Sequence, residues 1–134
     1  MRLFKSKLIH EQLTNDELKA LENDFKAYKS PRANSTLPDT FGRDELYDHP
    51  NNLPIIKAEE VRHIHLCDRQ NMWHPKTLQF KKTSDSHLVY CRGSQDLDCY
   101  LLMIILSPQA HKKARDNQWM YSLGLIAERF RQQY

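Results

Sequence analysis

His87-Leu88-Val89-Tyr90-Cys91, Arg92-Gly93-Ser94-Gln95-Asp96 and Cys99-Tyr100-Leu101-Leu102-Met103-Ile104-Ile105-Leu106 follow one another closely in the chain, and their reading decides the fold. The first run is β-type, the second is rich in turn formers, and the third is apolar on both faces. Together they predict a hairpin whose second strand is central and buried. Ser107-Pro108 comes next, an N-cap and a proline at the first helical position, leading into His111-Lys112-Lys113-Ala114-Arg115-Asp116. A rigid hairpin is thus expected to aim a basic, histidine-bearing helix start, and residues 80–116 hold most of the groups able to act on RNA.

Upstream, residues 2–9 are compatible with a first strand. Thr14-Asn15-Asp16-Glu17 is a capping-box pattern that opens a helix whose apolar stripe is Leu18, Leu21, Phe25 and Tyr28. Residues 30–38, rich in proline and small polar residues, read as a mobile loop. Residues 41–48 read as a turn or short helix that His49-Pro50 stops. Val61-Arg62-His63-Ile64-His65-Leu66 alternates as a strand, with Ile64 and Leu66 on one face and Val61, His63 and His65 on the other. Residues 78–82 read as another short strand. After Ser107 a last helix, with a break near Gly124, presents Leu123, Ile126, Ala127 and Phe130. The sum is an α+β domain spanning 1–134, with an antiparallel sheet of three to five strands and a helix at each end. Its helices are expected to cover one side of a meander, leaving the other for a ligand.

At 134 residues the chain is long enough to bury a core without disulfides or metal. Its longest apolar run is too short to span a bilayer, and the N-terminus lacks a secretory h-region, so cytoplasmic residence is expected. Three cysteines, Cys67, Cys91 and Cys99, do not make a disulfide framework and read as free thiols. Cys91 and Cys99 flank the hairpin turn, where they could face each other. The net charge of +3 is uneven: residues 1–75 hold 11 Lys and Arg against 12 Asp and Glu, and residues 76–134 hold 9 against 5. A basic C-terminal half suits a polyanion such as RNA, although such a face is often only solvated.

With three glycines in the chain there is no phosphate-cradling loop, and neither a nucleophile elbow nor a recognisable Cys/His pairing is present. His63 and His65 share a strand face, a familiar metal geometry, with His87, Cys91 or Asp68 as a third ligand. No spacing signature supports that reading, and neither metal nor cofactor is expected. What remains is acid–base chemistry by histidine with Lys and Arg as electrostatic stabilisers, the means of cutting RNA through attack by its own 2′-hydroxyl. His87, His111, Lys81, Lys82, Lys112 and Arg115 supply the residue types.

Four separated motifs occur in order: Phe41-Gly42-Arg43-Asp44 with Leu46-Tyr47-Asp48; His63-Ile64-His65-Leu66; His87-Leu88-Val89-Tyr90-Cys91; and His111-Lys112 with Ala114-Arg115-Asp116-Asn117. Together with Phe25-Lys26-Ala27-Tyr28-Lys29 they resemble the YafO family of bacterial toxins over nearly the whole chain. The resemblance implies a ribosome-dependent mRNA interferase, encoded beside an antitoxin that neutralises its basic groove. A looser similarity is to RelE-like toxins, a helix-flanked antiparallel sheet with an RNA-cleaving groove. Lys81 and Lys82 match the first basic positions of that family, His87 stands where its strand arginine would be, and His111 or Lys112 falls near its later basic position. Trp119 and Tyr121 are the nearest stand-ins for its late aromatic.

The expectation is therefore a RelE-like α+β toxin that cleaves mRNA on the ribosome. His87 and His111 are the acid–base pair, and Lys81, Lys82, Lys112 and Arg115 hold phosphate. His63, His65 and Asp116 are second-rank, Asp116 either orienting a catalytic group or pairing with a lysine one turn earlier. mRNA, the ribosome and a cognate antitoxin are the partners, with no membrane. The rival class is a non-catalytic ribosome or RNA binder that blocks translation by occupancy, and a third is a metal-dependent enzyme using His63 and His65.

Overall fold

The structure, a computed structural model, describes residues 1–30, 36–67 and 72–134. Most of the loop expected over 30–38, and Asp68, lie outside the described residues. The chain runs β1 (Arg2–Lys5), α1 (Lys7–Gln12), α2 (Asn15–Lys29), β2 (Phe41–Leu46), α3 (Pro54–Ala58), β3 (Arg62–Leu66), a 3-10 turn (Gln79–Lys81), β4 (His87–Arg92), β5 (Cys99–Leu106), α4 (Ala110–Lys113) and α5 (Asn117–Gln133). The five strands form one sheet in the order β1-β5-β4-β3-β2. All neighbours are antiparallel except β1, which lies parallel to β5. β5, apolar on both faces, is flanked by β4 and β1, as its composition requires.

Helices cover both faces of this sheet, not one as expected. The alternation along β4 shows why. Leu88 and Tyr90 join Ile9, Leu18, Phe25, Ile64 and Leu102 beneath α1 and α2, while Val89 and Cys91 join Ile56, Met103, Met120, Leu123 and Ala127 beneath α3 and α5. β5 contributes to both layers by alternation, Tyr100 and Leu102 on one side and Leu101 and Met103 on the other, and a register shift opposite Val89 and Tyr90 sends the successive Met103 and Ile104 both to the α5 side. No broad open face is left, and the site must lie where the layers end.

Several local expectations are corrected. Residues 2–9 split, because Ser6 accepts from the Ile9 amide and caps α1 after only four residues of strand. Residues 41–48 contain a strand, β2, whose pairing to β3 overrides the weak local pattern. Residues 78–82 close into a 3-10 turn docked on β2, with the Arg43 amide donating to the Lys82 carbonyl at 2.9 Å. Ser107-Pro108 starts no helix. Gln109, left-handed at φ 58°, precedes the short α4, and α5 begins afresh at Asp116, whose side chain accepts from the Gln118 and Trp119 amides. α5 is unbroken at Gly124, where a side chain would meet Ile55 Cγ2 at 2.6 Å, so that glycine serves the α3–α5 contact. Cys91 lies opposite Leu101, not Cys99, and both cysteines are buried as free thiols.

The capping box that opens α2 forms as read: Thr14 Oγ1 accepts from the Glu17 amide (3.2 Å) and Glu17 from the Thr14 amide (3.0 Å). Its stripe buries Leu18 and Phe25, and the Phe25 ring stands edge-on to Tyr90 and Tyr100.

Candidate active site

The ladder assembles the site. His65 and His87 are directly opposite partners in the β3–β4 pairing, so they share a face, and His63 lies two residues along on that same face. His111 arrives from α4, whose start is tied back to the β3–β4 side by the Ala110 amide donating to the Asp85 carbonyl at 3.1 Å. The rings gather around His87 in tilted and edge-to-face contacts: His63–His87 centroids lie 4.5 Å apart, His65–His87 4.4 Å and His87–His111 4.9 Å. Four histidines separated by up to 48 positions in the chain thus form one cluster.

Their environments differ. His63, His65 and His87 are buried, at 5%, 2% and 1% exposure, whereas His111 is exposed. Burial, with help from the other imidazoles, pushes His63 down to about 2 and His87 down to about 3, and burial also lowers His65. All three are neutral at physiological pH. Tyr47 stacks on His63 at 3.9 Å and its hydroxyl shares a 2.9 Å hydrogen bond with His87 Nδ1. Glu45 Oε1 lies 3.7 Å from His63 Nε2. The Asp85 carboxylate meets His111 Nδ1 at 3.2 Å.

A cleft of about 830 Å³ opens over this cluster. His63, His87, His111, Glu45, Tyr47 and Arg115 stand on its wall. The expected residues therefore divide. The structure gathers His87, His111, His63, His65 and Arg115, and leaves Lys112 exposed on α4 beside them. Lys81 and Lys82 belong to the 3-10 turn on the outer edge of β2 and are not on the cleft wall; Lys82 Nζ sits 6.0 Å over the Trp73 ring. Asp116 caps α5, and among the described residues its side chain joins neither a histidine nor a lysine. Trp119 and Tyr121 are exposed on α5, off the cleft wall. Sequence reasoning missed Glu45, Tyr47 and Asp85. For the first two, the available signal was that Glu45 and Tyr47, two apart, flank a strand end facing His63.

The fold and site define a five-stranded α+β protein with a histidine-rich cleft, one wall neutral and buried and the other exposed beside cations. The family model described as "Toxin YafO, type II toxin-antitoxin system" matches residues 26–132. The chain is also 50% identical over 135 residues to the "mRNA interferase toxin YafO" of Escherichia coli (strain K12), with 100% of each chain covered. The chain belongs to the YafO family of type II toxin–antitoxin toxins. No solved structure matches it. Among the described residues, no helix is long and apolar enough to cross a membrane.

Proposed function

We propose that this chain is an mRNA interferase that cuts messages engaged on the ribosome in the cytoplasm, and that a cognate antitoxin restrains it by covering the histidine cleft. The observation that carries this reading is 50% identity over the full length to a relative named for that activity, together with a cleft that contains both an exposed imidazole and a guanidinium. Cleavage by the RNA itself requires that the 2′-oxygen bond to phosphorus as its proton leaves. The bond to the 5′-oxygen then breaks as that oxygen gains a proton, giving a 2′,3′-cyclic phosphate and a 5′-hydroxyl.

In this reading the exposed His111 and the half-buried Glu45, the wall groups that border the buried histidines, take and give those protons, and Arg115 is the cation for the phosphorane. Lys112 extends the positive margin toward flanking phosphates, and Lys81 and Lys82 offer a second contact across β2, suited to ribosomal RNA. His87 has another place in this proposal than direct proton transfer: it is neutral and buried, and it supports the floor on which His111 rests.

Expression without antitoxin, followed by primer extension on a translated message, tests the reading. Discrete ends that vanish in His111→Ala and Arg115→Ala support it. Intact message with arrested ribosomes would replace it with blocking by occupancy. Repeating the assay on purified RNA with and without ribosomes reads the ribosome requirement.

A further inference from the structure

We propose that His63, His65 and His87 form a binding site for one divalent transition-metal ion of the zinc class, held by three imidazole nitrogens at the floor of the cleft. One ligand nitrogen from each of the three lies within 4.8 Å of those of the other two. A tetrahedral ion with bonds of about 2.1 Å wants these nitrogens about 3.4 Å apart, so small ring rotations close the site.

The unpartnered atoms point to a ligand. His63 Nδ1, His65 Nε2 and His87 Nε2 are all buried with no partner in hydrogen-bond geometry, the Ser84 backbone coming near His87 without closing a bond of good geometry. Each such group destabilises the fold when left unsatisfied, and a folded domain tolerates only a few. Here three of them occur in a single cluster.

The opposite nitrogens are the ones engaged. His87 Nδ1 meets the Tyr47 hydroxyl at 2.9 Å, His65 Nδ1 the Ser84 carbonyl at 3.0 Å, and His63 Nε2 faces Glu45 Oε1 at 3.7 Å. An outer N–H directed at an oxygen fixes the tautomer and leaves the inner lone pair for a metal, the arrangement that orients metal-bound histidines. The Ser84 amide also reaches His65 Nδ1, at 2.8 Å. Were that bond to set the tautomer, the proton would sit on Nε2, which has no acceptor. Three neutral nitrogen ligands without a thiolate suit zinc, cobalt or nickel over calcium or magnesium. His63 and His87 also line the cleft, so a fourth coordination position is open on that side.

This site is independent of the cleavage proposal and is read on protein without RNA. The full-length chain, produced without a histidine tag and freed of metal by chelator dialysis, is titrated with Zn²⁺ by calorimetry and with Co²⁺ by visible absorption. We expect one equivalent to bind, with intense tetrahedral Co²⁺ bands that Zn²⁺ displaces. His65→Gln and the His63→Gln/His87→Gln pair abolish that binding while circular dichroism shows a folded chain, and Tyr47→Phe weakens it about tenfold. The proposal is overturned if the wild-type chain binds no Zn²⁺ at one equivalent, or if the folded double variant binds it unchanged. Should the glutamine variants unfold, the Co²⁺ spectrum of the wild type decides alone: tetrahedral three-nitrogen bands uphold the site, and an octahedral spectrum refutes it.

Discussion

Tyr90 and Asp44 join β4 to β2 across the intervening β3: the tyrosine hydroxyl lies 2.8 Å from both carboxylate oxygens. Asp44 also meets Lys29 at 3.0 Å, Arg62 at 3.3 Å and the Tyr28 hydroxyl at 2.9 Å, with its side chain only 6% exposed. The carboxylate thus closes a partly buried cluster of two cations and two phenols, whose hydroxyls are pushed up, Tyr28 to about 12, by burial and then by Asp44. Removing it strands both cations. Asp44→Ala should cost about 3 kcal/mol in urea denaturation. Tyr90→Phe should cost about 1.5 kcal/mol, and the double variant less than the sum, since both act through one network. Additive losses would show that the two groups are not coupled.

Gly42 allows the 3-10 turn to sit against β2. A Cβ there would run into the Lys82 carbonyl and come within 2.8 Å of the Trp73 ring. Two bonds hold this junction, Gln79 Nε2 to the Gly42 carbonyl at 3.0 Å and the Arg43 amide to Lys82. Gly42→Ala should lower stability by about 1–3 kcal/mol and raise amide exchange selectively over residues 79–83. Exchange that rises evenly over the whole sheet would contradict a local origin. Because Lys81 and Lys82 ride on this turn, the variant also isolates their contribution to RNA binding from that of the cleft.

Glu22 links α2 to β1, bonded to Lys26 at 2.8 Å and Lys5 at 3.0 Å, and these bonds, Lys26 first, hold its carboxyl below the ordinary 4.5. A depressed carboxylate contributes stability at pH above its unfolded value, and that contribution is lost as pH falls through the folded one. Glu22→Gln should therefore destabilise the chain at pH 7 by about 0.5–1 kcal/mol and by progressively less at an acid pH below the ordinary 4.5. An equal loss at both pH values would mean that packing, not charge, is involved.

Much of this architecture was legible in the residues. The capping box at Thr14 and the doubly apolar β5 both acted through local chemistry, and the fold follows them. β2 was not legible, since Phe41-Gly42-Arg43-Asp44-Glu45-Leu46 has no clear alternation and becomes a strand only by pairing with β3. α4 and α5 were misread as one helix because Ser107-Pro108 imitates a helix start that tertiary contacts at Asp85 displace to Ala110. At the site, the shared face of His63 and His65 followed from period two alone. The approach of His87 and His111 depended on register and on a turn, which no spacing encodes, and the depth that neutralises His87 depended on Tyr47 and the neighbouring imidazoles.

His111 and Arg115 give the sharpest separation between cleavage and occupancy. Both are exposed, so their loss leaves the core intact, and both border the cleft. His111→Ala should reduce message cleavage by about a hundredfold or more while urea stability stays within about 0.5 kcal/mol of wild type. Asp85 acts through His111, by the 3.2 Å bond to Nδ1. Asp85→Asn should therefore give a smaller loss, about tenfold, that Asp85→Glu partly restores. Arg115→Ala should weaken cleavage and flatten its salt dependence, because one phosphate contact is gone. If His111→Ala cleaves at the wild-type rate while Glu45→Gln does not, proton transfer lies on the β2 side of the cleft and the exposed imidazole only frames it.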